Sequence, residues 1–150
     1  MPAPDTPEEQ VGIDFHSEQI EFDLERPEEV AAWIEAVIEQ EEHVLLQLNF
    51  IFCSDDYLHA INVEYLQHDT LTDIITFPYS SPPQVEGDLF ISIDRVRENA
   101  LEFEVPFHHE LLRVMIHGVL HLCGYGDKSP DEVRAMRAKE EEKLRLILSA

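Results

Sequence analysis

Residues 106–127, PFHHELLRVMIHGVLHLCGYGD, constrain the fold more than any other part of the chain. Phe107, Leu111, Val114, Met115, Gly118 and Leu122 recur at spacings of three and four, which places them on one tight apolar side of a helix opened by Pro106. A helix with such a side has to be buried against another layer. Gly124 can end it in a left-handed conformation and Gly126 relaxes the turn that follows, so the chain can double back on the helix end.

The rest of the sequence supplies that layer. Val11, Ile13 and Phe15 alternate with Gly12 and Asp14, and Ile20, Phe22 and Leu24 alternate again, predicting one or two short strands before Pro27. Val30, Trp33, Ile34, Val37 and Ile38 form a helical stripe over residues 28–41, behind an acidic first turn that suits the helix dipole. Residues 44–52, VLLQLNFIF, read as a strand. Ser54 can cap a helix over residues 54–66 that sets Leu58, Ile61 and Tyr65 on one face. Residues 72–79 read as a strand closed by Pro78, residues 80–87 as a surface loop and residues 88–93 as a further strand, with a helix over 94–101. Ser129, Pro130 and Glu132 form a capping box for a last helix carrying Val133, Met136, Leu144 and Ile147, on which the acidic run 140–142 is expected to face solvent. The pattern predicts an α+β fold: a single domain over residues 11–150, with a small mixed β-sheet packed against several helices. Residues 1–10, proline-rich, acidic and aperiodic, are expected to be loose.

Composition narrows the function. The chain of 150 residues has no apolar run approaching the about 20 residues of a membrane helix, and no basic segment precedes an apolar one, so a soluble, cytoplasmic protein is expected. Its two cysteines, Cys53 and Cys123, read as small buried apolar residues. Ten basic and 32 acidic residues give a formal charge of -22. Residues 1–94 hold one basic side chain, Arg26, against 22 acidic ones, whereas residues 95–150 hold nine against ten. Only a surface built from the second half can meet an anion, and a polyanionic substrate should bind weakly unless divalent ions or a docking partner help.

The chemistry concentrates in HGVLHLCGYGD, residues 117–127. His117 and His121 are one helical turn apart on a single face, close enough for both imidazoles to reach one metal, and the glycines let Asp127 return toward the same point. Two histidines and a carboxylate leave one coordination position open, as in a catalytic rather than a structural zinc site. The plainer alternative is a packed histidine pair before a glycine cap and a solvated aspartate. Cys123 points away from His121 on the helical wheel, which disfavours soft-metal chemistry. The spacing matches an extended zinc-protease pattern, but that pattern needs a general-base glutamate directly after the first histidine, and Gly118 stands there.

HGVLHLCGYGD, together with INVEYLQHDTLTDIITFPY at 61–79 and EGDLFIS at 86–92, resembles the bacterial rRNA maturation factor YbeY family, single-domain metal-dependent endoribonucleases. The resemblance implies an α+β fold and zinc held by three side chains, here His117, His121 and Asp127. It implies a role in 16S rRNA 3'-end maturation and small-subunit quality control, alongside ribosomal proteins and a ribosome-associated GTPase. It implies neither DNA nor a membrane as partner. Two positions depart from the family. Asp127 stands where a histidine is usual, and Leu66 stands where an arginine commonly follows the asparagine matched by Asn62. Leucine cannot hold a phosphate. His68, Arg95, Arg97, Arg113 and Lys128 are the possible substitutes, with His68 nearest in sequence and Arg113 one turn before His117 on the same side. The expected catalytic set is therefore His117 and His121 through the metal, with Arg113 and His68. Thr72 and Asp73, at a strand end, are candidates to supply polar groups to the site. A metal-stabilised ribosome-assembly factor with little catalysis is the alternative, and a metalloprotease a weaker one.

Overall fold

The computed structural model describes residues 12–67 and 72–148. In chain order the elements are β1 (Gly12–Glu18), α1 (Pro27–Gln40), β2 (Val44–Cys53), α2 (Asp55–Leu66), β3 (Ile74–Pro78), β4 (Gln84–Ser92), α3 (Ile93–Phe103), α4 (Phe107–Leu122) and α5 (Pro130–Leu148). Four strands form one mixed sheet in the order β1-β2-β4-β3, with β1 parallel to β2, β2 parallel to β4 and β3 antiparallel to β4. This is the α+β architecture that the alternating periodicities predict.

Strand alternation divides the sheet into two unlike faces. Phe15, Phe50 and Leu89 lie side by side in register, as do Ile13, Leu48 and Gly87, and their face is covered by α1 and α4 in a core that also takes in Met136 of α5. The other face carries Asp14, Asn49 and Asp88 in register, and among the described residues α2 covers one end of it, with Leu58 clustered with Cys53 of β2 and Ile75 of β3. At Gly118 α4 comes down onto the covered face. A Cβ there would lie 2.5 Å from a methyl of Leu89 and 2.8 Å from one of Ile74, so glycine sets how deeply the helix seats. His117 precedes that contact and His121 follows it by one turn, and both are thereby held at the β3 edge of the sheet.

Three expectations change. Residues 20–24 form no strand, because the chain turns at Gln19 with φ 58 and Phe22 packs edge-on against Phe52 and Phe107 instead of joining a ladder. Residues 84–87 are not loop: they pair with β2 and begin β4. On α2 the inward residues are Leu58 and Asn62, while Tyr65 is exposed. Residues 1–10 lie outside the described residues. Among the described residues, no helix is long and apolar enough to cross a membrane.

Candidate metal centre

The end of α4 builds the site by a Schellman turn. Gly124, at φ 105, donates its N–H to His121 O at 2.9 Å, and Tyr125 donates to Leu120 O at 3.0 Å, so the last carbonyls of the helix are satisfied while the chain reverses. Gly126 does not have a left-handed backbone. Its missing side chain leaves room for the Glu132 carboxylate, which accepts the Ser129 N–H while the Ser129 hydroxyl accepts that of Glu132, the reciprocal pattern of the predicted capping box.

The reversal brings Asp127 back to the histidines. Its Oδ2 lies 3.2 Å from His121 Nε2 and 3.5 Å from His117 Nε2, and one ligand atom from each of the three residues lies within 4.8 Å of the others. The two rings stand nearly perpendicular with centroids 4.6 Å apart. Their far nitrogens are already engaged: His117 Nδ1 meets Glu140 Oε2 at 2.6 Å, and His121 Nδ1 meets the Tyr125 carbonyl at 2.9 Å. A second layer steadies the turn, with the Tyr125 hydroxyl donating to Glu41 and Glu41 paired to Lys139 and Lys143.

Glu140 is the residue that the sequence reading missed. It belongs to the acidic run expected to face solvent, and Glu141 and Glu142 do, but Glu140 is 1% exposed. Its Oε1 accepts from Arg113 at 3.2 Å and from Arg137 at 3.1 Å. Burial alone would push this carboxyl up, yet the hydrogen bond and charge of His117, with the charges of Arg113 and Arg137, hold it below the ordinary carboxylate range. The signal for it was periodic. Met136, Glu140, Lys143 and Ile147 follow one another at four, three and four along α5, which puts a carboxylate on the stripe that turns inward.

The three donors open onto a cleft of about 830 Å³ between α2, β3, the 80–82 loop and the end of α4. Asn62, Thr72, Asp73, Thr76, Ser80 and Ser81 supply its polar lining, and Leu66 its wall where the resemblance expects arginine. No arginine or lysine is among the described lining residues. Arg113 is turned away, locked to buried Glu110 and Glu140. Arg95 is paired to Asp55 and Glu98, and Arg97 lies over the Phe107 ring. Lys128 is exposed beside Asp127, and His68 lies outside the described residues. Asp88 sits on the opposite face of the sheet, where it accepts from Tyr79 and Asn49.

A family model described as Endoribonuclease YbeY matches residues 12–147. Proteins named Endoribonuclease YbeY are similar over 135 residues in Flavobacterium johnsoniae, at 50% identity, and in Flavobacterium psychrophilum, at 52%; in both cases the match covers 90% of this chain and 96% of the relative. A solution structure of TM1509 from Thermotoga maritima shares the fold with a TM-score of 0.64 and 28% identity, covering 89% of this chain and 87% of that one. The match spans the whole of the sheet and the turn that carries Asp127, and on it this chain belongs to the Endoribonuclease YbeY family.

Proposed function

We propose that the chain is a metal-dependent endoribonuclease that cleaves RNA phosphodiesters in 16S rRNA 3'-end maturation and in quality control of the small ribosomal subunit. The observation that supports it most is the convergence of His117 Nε2, His121 Nε2 and an Asp127 oxygen on a cleft of about 830 Å³. The donor set fits a divalent ion with a zinc preference: two borderline nitrogen donors, one hard oxygen, and both Nδ1 atoms already hydrogen-bonded elsewhere. When bound, such an ion supplies Lewis acidity toward water and toward a phosphate oxygen.

The remaining work falls to the chain's own side chains. His117 and His121 present their Nε2 atoms, and Asp127 closes the set from the turn. Thr76 and Ser81 present neutral hydroxyls to the cleft for sugar and phosphate oxygens. Lys128 and His68 are the candidates to contact phosphate. With a charge of -22, repulsion at a distance opposes binding of free RNA, so the substrate is RNA presented on the small subunit, with its proteins and a ribosome-associated GTPase as partners. The protein works in the cytoplasm.

Cleavage of small-subunit precursor RNA should stop on chelation, return with added zinc, and be lost in H121A of unchanged circular dichroism. Undiminished cleavage by thoroughly chelated protein would refute the reading. The absence of cations from the described cleft lining favours one second reading, an assembly factor in which the ion ties α4 to its following turn. One ion bound per chain with no cleavage, either of free RNA or of RNA on small subunits, would select it.

A further inference from the structure

Glu140 reaches His117 from a different helix, and the contact decides where the imidazole proton sits. A carboxylate can only accept, so at 2.6 Å the shared hydrogen is on His117 Nδ1, and in the neutral ring the lone pair is then on Nε2, the atom turned toward Asp127. The other oxygen of Glu140 is held by Arg113 and Arg137. Arg113 is fixed in its turn by Glu110, through Nε at 3.0 Å and through Nη2. Glu110 and Glu140 are each about 2% exposed or less and Arg113 is largely buried between them, while Arg137 is half-exposed; the two guanidinium groups balance the two carboxylates in charge. His121 lacks such a partner. Its Nδ1 faces the neutral carbonyl of Tyr125.

We infer that Glu140 is a positioning residue of the metal centre, holding His117 in the ligating tautomer and orientation, and that Glu110 and Arg113 act through Glu140 rather than on RNA. The inference rests on the proposed metal site. An anionic acceptor behind a ligating imidazole raises its basicity as well as fixing its tautomer, and losing such a partner costs metal affinity about 10- to 100-fold. The backing is unequal. His117 has a full carboxylate and His121 a carbonyl dipole, so removing Glu140 weakens one arm of the site while leaving His121 and Asp127 in place.

Two measurements test this. In the metal-free wild-type chain, at a pH where the His117 ring is neutral, nitrogen NMR of the imidazoles should show its single proton on Nδ1; a neutral ring with that proton on Nε2 overturns the inference, whether or not any variant folds. In E140Q, whose amide can offer its NH2 to Nδ1 and so select the wrong tautomer, the affinity for Co2+ measured against a competing chelator should fall about 10- to 100-fold at unchanged circular dichroism. Equal affinity in folded E140Q overturns the inference and leaves the metal site standing. A wild-type chain that takes up no Co2+ overturns both.

Discussion

The two faces of the sheet use the same strands in opposite ways. On the covered face Phe15, Phe50 and Leu89 lie in register beneath α1 and α4, and the buried side chains there are apolar. On the outward face the same strands carry a polar ladder: Gln47 donates to Asp14 and Asn49, Asn49 to Asp88, and the Tyr79 hydroxyl to Asp88 at 2.6 Å. The covered face sets where α4 lies and hence where His117 and His121 stand. Among the described residues α2 closes one end of the outward face, and the polar ladder of Asp14, Asn49 and Asp88 lies outside the lining of the cleft. Stability and site geometry should therefore respond to changes on one face far more than on the other.

The largest effect expected is a contrast between two phenylalanines on adjacent strands. Phe50, fully buried, should cost about 3–5 kcal/mol on replacement by alanine. Phe90, partly exposed and touching Phe77 and Tyr57, should cost about 1–2 kcal/mol. Urea midpoints at unchanged m-values measure both, and equal losses would erase the distinction between the faces.

Gly118→Ala sharpens the link from packing to site. Crowding against Leu89 and Ile74 costs about 1–3 kcal/mol, offset by about 1 kcal/mol of helix propensity. A small net loss of stability should accompany a larger loss of metal affinity, because a lifted α4 carries His117 away from Asp127. Thermal melts with and without added zinc separate the two.

The smallest effect lies on the outward face. The hydrogen bond to Asp88, with partial burial and the Asp88 charge, pushes the Tyr79 phenol up to about 12 from its ordinary value near 10. A group whose pKa is raised by folding stabilises the fold fully below its unfolded value, so this contribution is complete below about pH 10 and fades as pH rises through about 12. Tyrosine-ring NMR should place the Tyr79 titration above those of free tyrosines in the wild type and bring it down in Asp88→Asn, with activity at neutral pH unchanged.

How much of this was legible in the sequence follows from which signals are local. Helical stripes located α1 and α4 almost to the residue, because Trp33 and Leu111 must face a core wherever that core is. Capping chemistry fixed the starts of α2 and α5 through Ser54 and Ser129. His117, His121 and Asp127 could be picked out together because one helical turn and two glycines lie within eleven residues. Residues 20–24 misled because alternation reports burial, not pairing, and their partners, Phe52 and Phe107, are remote in sequence. Glu140 was hidden for a related reason. Its partner His117 is 23 residues away, and a carboxylate next to two other glutamates reads as solvated until a buried counterion is known. Arg113 looked available for phosphate on one helix, and only the packing of α5 against α4 shows both of its sides occupied by carboxylates.

The most direct test of the central claim is elemental analysis of the purified chain and its H121A and D127A variants, paired with cleavage of small-subunit precursor RNA by the same samples. One zinc per chain is expected in the wild type, with loss of both metal and cleavage in each folded variant. Full cleavage by a D127A protein that retains no metal would contradict it.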